Sequence, residues 1–401
     1  MRSGGSAPGA PAGGTPSPGP PSEGAARAVA PLAAECAQRT EAGRRLAPEL
    51  VQALRESGLF RMCVPASLGG GEVRPAELVA AVEALGRADG AAAWCVAVAA
   101  TSGALAAYLP EEHAREVYGD PAGCVGGVFA PKGRAVADGD RLTVTGRWPF
   151  ASGVDHSDWL MGGCLLEEAG QMRMLDSGAP DITLVLFPAD RAEVIDTWSV
   201  AGLRGTGSHD IHVAGLEVPA GRSASLVSGV PRERGALYAF PVFGLLALAI
   251  AATALGIARG AVGDLVELAG AKTPTMAKRS LGAQPDTQAR TARAEATLRS
   301  ARALVDQAVG EAWEDAQGEH AVTIERRVAL RMAASHAMES AARVVDEMYA
   351  LGGGTSIYDT SLLQRRFRDV HVATQHMLVG PSTWEFAGRV LLGQPVRPEQ
   401  I

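Results

Sequence analysis

The sequence predicts an α+β, multi-domain protein: an N-terminal helical domain (27–122), a central β-barrel-like domain (123–228) and a C-terminal four-helix bundle (229–401). Three observations carry that prediction. Apolar residues recur three and four apart up to Asp120, alternate with period two between Gly123 and Ser225, and return to helical spacing after Pro231. A chain of 401 residues, 47% hydrophobic and 20% charged, is long enough to bury a core across such units.

Residues 1–26 are half Gly and Pro, with Ser, Ala and Thr making up most of the rest. That composition buries too little apolar area to offset its ordering entropy and predicts a disordered tail. Helical spacing then runs through LAAECAQRTEAGRRL, PELVQALRESGLF and PAELVAAVEALGRADGAAAWCVAVAATSGALAAYL. In RLTVTGRW, Leu142, Val144 and Trp148 share one face, while Arg141, Thr143, Thr145 and Arg147 share the other, which describes a half-buried strand. DITLVLFP and HDIHVAGLEVP repeat the pattern. Four helical segments follow, at 240–269, 286–317, 321–351 and 361–392, and their short Gly- or Pro-bearing breaks predict antiparallel packing.

Composition narrows the function. A formal charge of −7 with no basic stripe removes the phosphate affinity that nucleic-acid binding needs. Cys36, Cys63, Cys95, Cys124 and Cys164 stand singly, so neither a disulfide framework nor a metal site is expected, and the cytoplasm is the expected compartment. The longest apolar run, Val242 to Ala258, is closed by Arg259 and reads as a buried bundle helix rather than a membrane span. No Gly-x-Gly-x-x-Gly follows an opening strand and no Walker sequence occurs, so tight NAD(P)H binding is not expected.

Three segments carry chemistry-bearing residues. GRWPFASGVDHSDW (Gly146 to Trp159) takes a strand into an Ala-Ser-Gly turn. DTWSVAGLRGTGSHDIHV (Asp196 to Val213) places Trp198 before a glycine-rich turn, where Thr206 and Ser208 offer hydroxyls and the glycines permit close backbone approach. YALGGGTSIYDTSLLQRRFRDVHVATQHMLVG (Tyr349 to Gly380) holds a Gly-rich turn, the Arg368-Asp369 pair, His371 and His376. Read from the residues alone, the first two are turns with or without a ligand, and His376 is equally a core histidine or an active one. A histidine titrates near working pH, so it suits either donation or abstraction of a proton.

The three-part order and these segments resemble the acyl-CoA dehydrogenase superfamily across residues 33–395. The resemblance implies that Trp148, Phe150, Ser152 and Gly153 contact a flavin, as do Trp198, Arg204, Gly205, Thr206 and Ser208. It implies further that Gly353 and Arg368 approach the flavin phosphate across a subunit boundary. Family dehydrogenases place a catalytic Glu about eight residues after the Arg-Asp pair. Here that window holds Gln375, His376, Met377 and Leu378, and Gly235 to Gly263 contains no Asp or Glu.

A chain without that base is similar instead to the hydroxylase branch, the oxygenase components of two-component flavin-dependent monooxygenases. That resemblance implies reduced flavin (FADH2 or FMNH2) supplied by a separate flavin reductase, and O2 as co-substrate. It also implies a C4a-(hydro)peroxyflavin and hydroxylation of a small aromatic or heteroaromatic molecule. His376, Ser152 and His371 are the catalytic candidates, and a homotetramer is expected, with a dimer as the alternative. The other readings are an acyl-CoA dehydrogenase with an unplaced base, an N-oxygenase of an amine or amino sugar, and a flavin-free scaffold.

Overall fold

The computed structural model describes residues 23–318 and 320–396. Residues 1–22 of the expected tail lie outside the described residues, and its last four are helical. Helix α1 spans Glu23–Gly43. Glu23 lies in its first turn and accepts from Arg27 one turn on (2.8 Å), and Ala26 is fully buried, so this stretch has both a partner and a packing surface.

The N-terminal domain continues with α2 (Pro48–Glu56), α3 (Pro75–Ala88), α4 (Gly90–Ser102) and α5 (Glu111–Tyr118). Prolines open α2 and α3, where a missing N–H costs nothing. Asp89 caps α4 by accepting from the Ala92 N–H at 2.8 Å. Because α4 is buried on nearly every side, its run of alanines is a core helix rather than an amphipathic one.

The central domain is one mixed sheet of β1 (Val125–Asp138), β2 (Arg141–Ala151), β3 (Trp159–Glu168), β4 (Gln171–Met172), β5 (Ile182–Pro188), β6 (Glu193–Ile195), β7 (His209–Pro219) and β8 (Ser223–Ala224). The pairing order is β6-β7-β2-β1-β3-β5-β8, with β4 on β3. Only the β1–β3 pair is parallel, and β1 is interrupted by irregularities around Pro131, which has no N–H for the ladder. The path ends on β6 and β8, edge strands of three and two residues, so the sheet stays open where a barrel-like domain was expected.

The C-terminal domain contains α6 (Ala236–Ala239), α7 (Val242–Ala271), α8 (Pro285–Ala316), α9 (Ile324–Gly352), α10 (Leu362–Ala373) and α11 (Ser382–Leu391). Helix α7 is the axis of the protein, packing against α3, α4, α9 and α10. It is long and apolar enough to cross a membrane by length and composition, yet its most apolar stretch is 83% buried against the other elements. The helix expected over 361–392 is two helices. His376 turns extended (φ −72°, ψ 129°) and Gly380 precedes Pro381, whose ring disfavours a helical conformation in the residue before it. This break lifts His376 out of the bundle's regular packing.

Candidate active site

Where β2 ends, Phe150 adopts φ 69° and Gly153 φ 75°, so the chain reverses sharply around Ser152. The Gly153 N–H donates to the Thr206 carbonyl at 2.8 Å, tying this corner to the glycine-rich turn. Leu203 and Gly207, both left-handed, shape that turn so that Ser208 points at Ser152 and Thr206 at Ser208. Ser152 Oγ lies 2.7 Å from Ser208 Oγ, which lies 2.6 Å from Thr206 Oγ1. Thr206 Oγ1 donates to the Leu203 carbonyl at 2.9 Å.

The N-terminal helical domain meets this corner through one indole. Trp94 on α4 donates from Nε1 to Ser152 Oγ at 3.0 Å, and its ring stands edge-on to His376 with centroids 5.6 Å apart. His376 Nδ1 accepts from the Leu378 N–H at 3.3 Å, a contact that assigns the ring proton to Nε2. Arg331 on α9 donates from Nε and Nη2 to the Leu378 carbonyl, at 3.3 and 3.0 Å. Burial, then the Arg331 charge, lower the His376 pKa to about 4, so the ring is neutral at pH 7. A neutral imidazole with Nδ1 occupied presents a donor, which selects donation from the two roles the sequence left open.

A buried carboxylate holds the two walls together. Asp369 on α10 accepts from the Leu203 N–H at 2.6 Å, and its pKa is raised to about 7, by burial first and by neighbouring Asp89 among the charges. Burial raises the Asp89 pKa as well. Gly202 sits so close to α10 that a Cβ there would lie 2.2 Å from the Arg368 carbonyl oxygen. Trp94 was not among the expected site residues, because a lone Trp in an alanine-rich helix has no motif around it.

The other candidates divide. Phe150 is 66% exposed and edge-on to Trp198 at 6.3 Å, beside Ser152. Trp198 Nε1 donates to the Leu203 carbonyl at 3.1 Å, and Arg204 donates to the Val200 carbonyl at 3.2 Å, so both brace the turn. Trp148 corrects its expectation: it has no exposed surface, its Nε1 donates to the Gly163 carbonyl at 2.7 Å, and its ring fills space left by Gly133, Gly146 and Gly162. Gly205 is turned to α1, where a Cβ would lie 2.2 Å from Thr40 Cγ2. Arg368 is spent on the Ala201 carbonyl and Glu41, both at 2.6 Å. Gly353 lies past the end of α9, roughly 30 Å along that helix from Arg331. His371 faces away: its Nε2 meets Asp346 at 2.8 Å and its ring meets Phe367 at 4.5 Å. Thr206 and Ser208, 1% and 2% exposed, are buried beneath Ser152 rather than beside it.

An exposed aromatic ring, a left-handed glycine and a serine with a spare lone pair at the rim of a buried hydroxyl chain fit a flat ring with a polar edge, as a flavin is. Residues 22–118 match the acyl-CoA dehydrogenase N-terminal domain, and residues 248–381 match the acyl-CoA dehydrogenase C-terminal domain. The chain is 31% identical to the indole-3-acetate monooxygenase of Pseudomonas putida over 358 residues, 88% of this chain and 89% of the relative. It is 28% identical to the oxygenase subunit HsaA, a flavin-dependent monooxygenase of Rhodococcus jostii, over 88% of this chain and 93% of the relative. Among solved structures, XiaF from Streptomyces sp. in complex with FADH2 and glycerol superposes with a TM-score of 0.84 at 25% identity, covering 94% of this chain and 96% of that one.

Proposed function

The chain belongs to the acyl-CoA dehydrogenase family, in its branch of flavin-dependent monooxygenase oxygenase components, and from that premise we propose that it hydroxylates a small aromatic or heteroaromatic molecule between its sheet and its bundle. The observation that carries this reading is the meeting of Ser152 and His376 on the Trp94 indole. Reduced flavin, delivered by a separate reductase, supplies the oxygen-activating chemistry when bound.

This chain's own residues then have distinct tasks. Phe150, backed by Trp198, would lie against a bound flavin ring, and Ser152 would accept a hydrogen bond from its polar edge. Trp94 fills the space between Ser152 and His376 and keeps water from both. His376 would offer its Nε2–H to the reacting groups, a role that suits a ring neutral down to about pH 4. The contacts found for Trp94, Ser152 and His376 are with one another and with Ser208, Leu378 and Arg331; none is a carboxylate, which disfavours dehydrogenation of an acyl thioester. Indole-type acids are the first substrates to test, given the similarity to an indole-3-acetate monooxygenase. We place the enzyme in the cytoplasm, where its five free cysteines stay reduced, and infer a homotetramer in which the exposed Ile357, Tyr358 and Leu362 meet a second copy.

The test supplies the purified chain with a flavin reductase, NADH, FMN or FAD, ¹⁸O2 and a panel led by indole-3-acetate. We expect one ¹⁸O atom in a hydroxylated product, and about 100-fold less product from His376→Ala, with the balance released as hydrogen peroxide. Hydrogen peroxide alone across the panel, together with flavin bleached by an acyl-CoA without reductase, would return the chain to the dehydrogenases.

A further inference from the structure

The hydroxyl chain under the site has a direction that its two ends dictate. An indole N–H only donates, a carbonyl oxygen only accepts, and each hydroxyl holds one proton and two lone pairs. At the far end Thr206 Oγ1 lies 2.9 Å from the Leu203 carbonyl oxygen, and two oxygens that close repel unless a proton lies between them. Thr206 therefore spends its proton there and accepts from Ser208 at 2.6 Å. Ser208, its proton spent, accepts from Ser152 at 2.7 Å. At the near end Ser152 accepts from Trp94 Nε1 at 3.0 Å. Leu203 is itself fixed, its N–H on Asp369 and its carbonyl also receiving Trp198 Nε1.

We propose that Thr206 and Ser208 are positioning residues that make Ser152 a one-way hydrogen-bond acceptor, so that the site selects a flavin ring presenting an N–H over one presenting a bare ring nitrogen. Ser152 is left with one lone pair and no proton to offer whatever lies beside it. Reduced flavin carries ring N–H groups where oxidised flavin has only lone pairs, so the oxidised ring would set two lone pairs against each other at Ser152. An oxygenase fed by a separate reductase gains directly: it accepts the reduced ring and releases the oxidised one. The motif reading had Thr206 and Ser208 donating to the flavin; their burial and spent protons place their effect on Ser152 instead.

This inference rests on the flavin reading above and is tested by binding rather than turnover. Reduced and oxidised FMN and FAD are titrated anaerobically into wild type, Thr206→Val, Thr206→Ser and Ser208→Ala, and the ratio of the two dissociation constants is compared. Wild type is expected to favour reduced flavin by about 10-fold or more, the worth of one buried hydrogen bond gained or lost. Thr206→Val removes the terminal acceptor, so Ser208 turns its proton to Ser152 and Ser152 turns its own into the site. Oxidised flavin then binds better and the ratio falls about 10-fold. Ser208→Ala frees the same Ser152 proton and lowers the ratio likewise, which keeps the test open if the valine variant does not fold. Thr206→Ser restores the ratio. An unchanged ratio in folded Thr206→Val and Ser208→Ala, or equal affinities in wild type, overturns the inference and leaves the monooxygenase reading standing. Binding of neither flavin by wild type overturns both.

Discussion

Ser152 and His376 approach the same indole from opposite walls, and the walls are held by different means. On the sheet side, three hydroxyls and an indole N–H form a closed run of hydrogen bonds 2.6 to 3.0 Å long, nearly all of it buried. On the bundle side, His376 rides on a break between two short helices, held by one 3.3 Å contact with a backbone N–H two residues on and by the edge of Trp94. A buried network leaves its members a single arrangement, because any rotation strands a donor or acceptor. A side chain on a helix break loses little when it turns. In the function proposed above, the sheet would supply the fixed cofactor contact and the bundle the adjustable substrate contact.

The comparison breaks most visibly if the sheet wall is softened. Trp148→Ala, four residues before Ser152, would leave a cavity framed by three glycines that offer no side chain to fill it. We expect a loss of about 3–5 kcal/mol in urea unfolding, the range for a buried aromatic cut to Ala. A loss below about 1 kcal/mol would show that the sheet collapses around the gap and is not the rigid wall described.

A smaller effect probes the bundle wall through pH, since Asp369 on α10 and His376 just beyond it carry opposite shifts. His376, lowered to about 4 by burial and Arg331, binds its proton more weakly folded than unfolded, so its contribution is present above pH 6.5 and is lost as pH falls from 6.5 to about 4. Asp369, raised to about 7 by burial and Asp89, binds its proton more tightly folded, so its contribution is present below pH 3.8 and is lost as pH rises from 3.8 to about 7. His156, also lowered to about 4 by burial, repeats the sign of His376, so single variants must be compared with wild type. Urea midpoints from pH 4 to 7 should show His376→Asn gaining on wild type toward the acid end and Asp369→Asn gaining toward the neutral end. Parallel curves would remove both groups from the buried set.

Much of this was legible in the residues, and the failures have physical causes. The order of domains followed from periodicity, and the segments around Ser152 and His376 singled out two residues that the fold brings to one indole. Trp148 was misassigned although its parity with Leu142 and Val144 already pointed into the core; a motif was allowed to override the alternation of the strand. Gly380-Pro381 announced the break in the last helix, but a long apolar pattern on either side disguised it. Trp94 and the direction of the hydroxyl chain were beyond any pattern. They depend on a helix and a sheet corner, 58 residues apart in sequence, meeting within 3.0 Å.

The smallest expected effect separates the two histidines of one short segment. An α-helix turns about 100° per residue, so His371, two positions after Asp369, points to nearly the opposite face of α10. Asp369 faces the Leu203 turn, and His371 accordingly meets Asp346 and Phe367 instead. Both members of the His371–Asp346 pair are more than a third exposed, at 41% and 46%, so solvent screens it. His371→Ala should therefore cost no more than about 1 kcal/mol in urea and leave both ¹⁸O incorporation and the flavin affinity ratio at wild-type values. If it lowers ¹⁸O incorporation as His376→Ala does, the bundle wall has two working histidines, and α10 must turn in solution to bring the second one round.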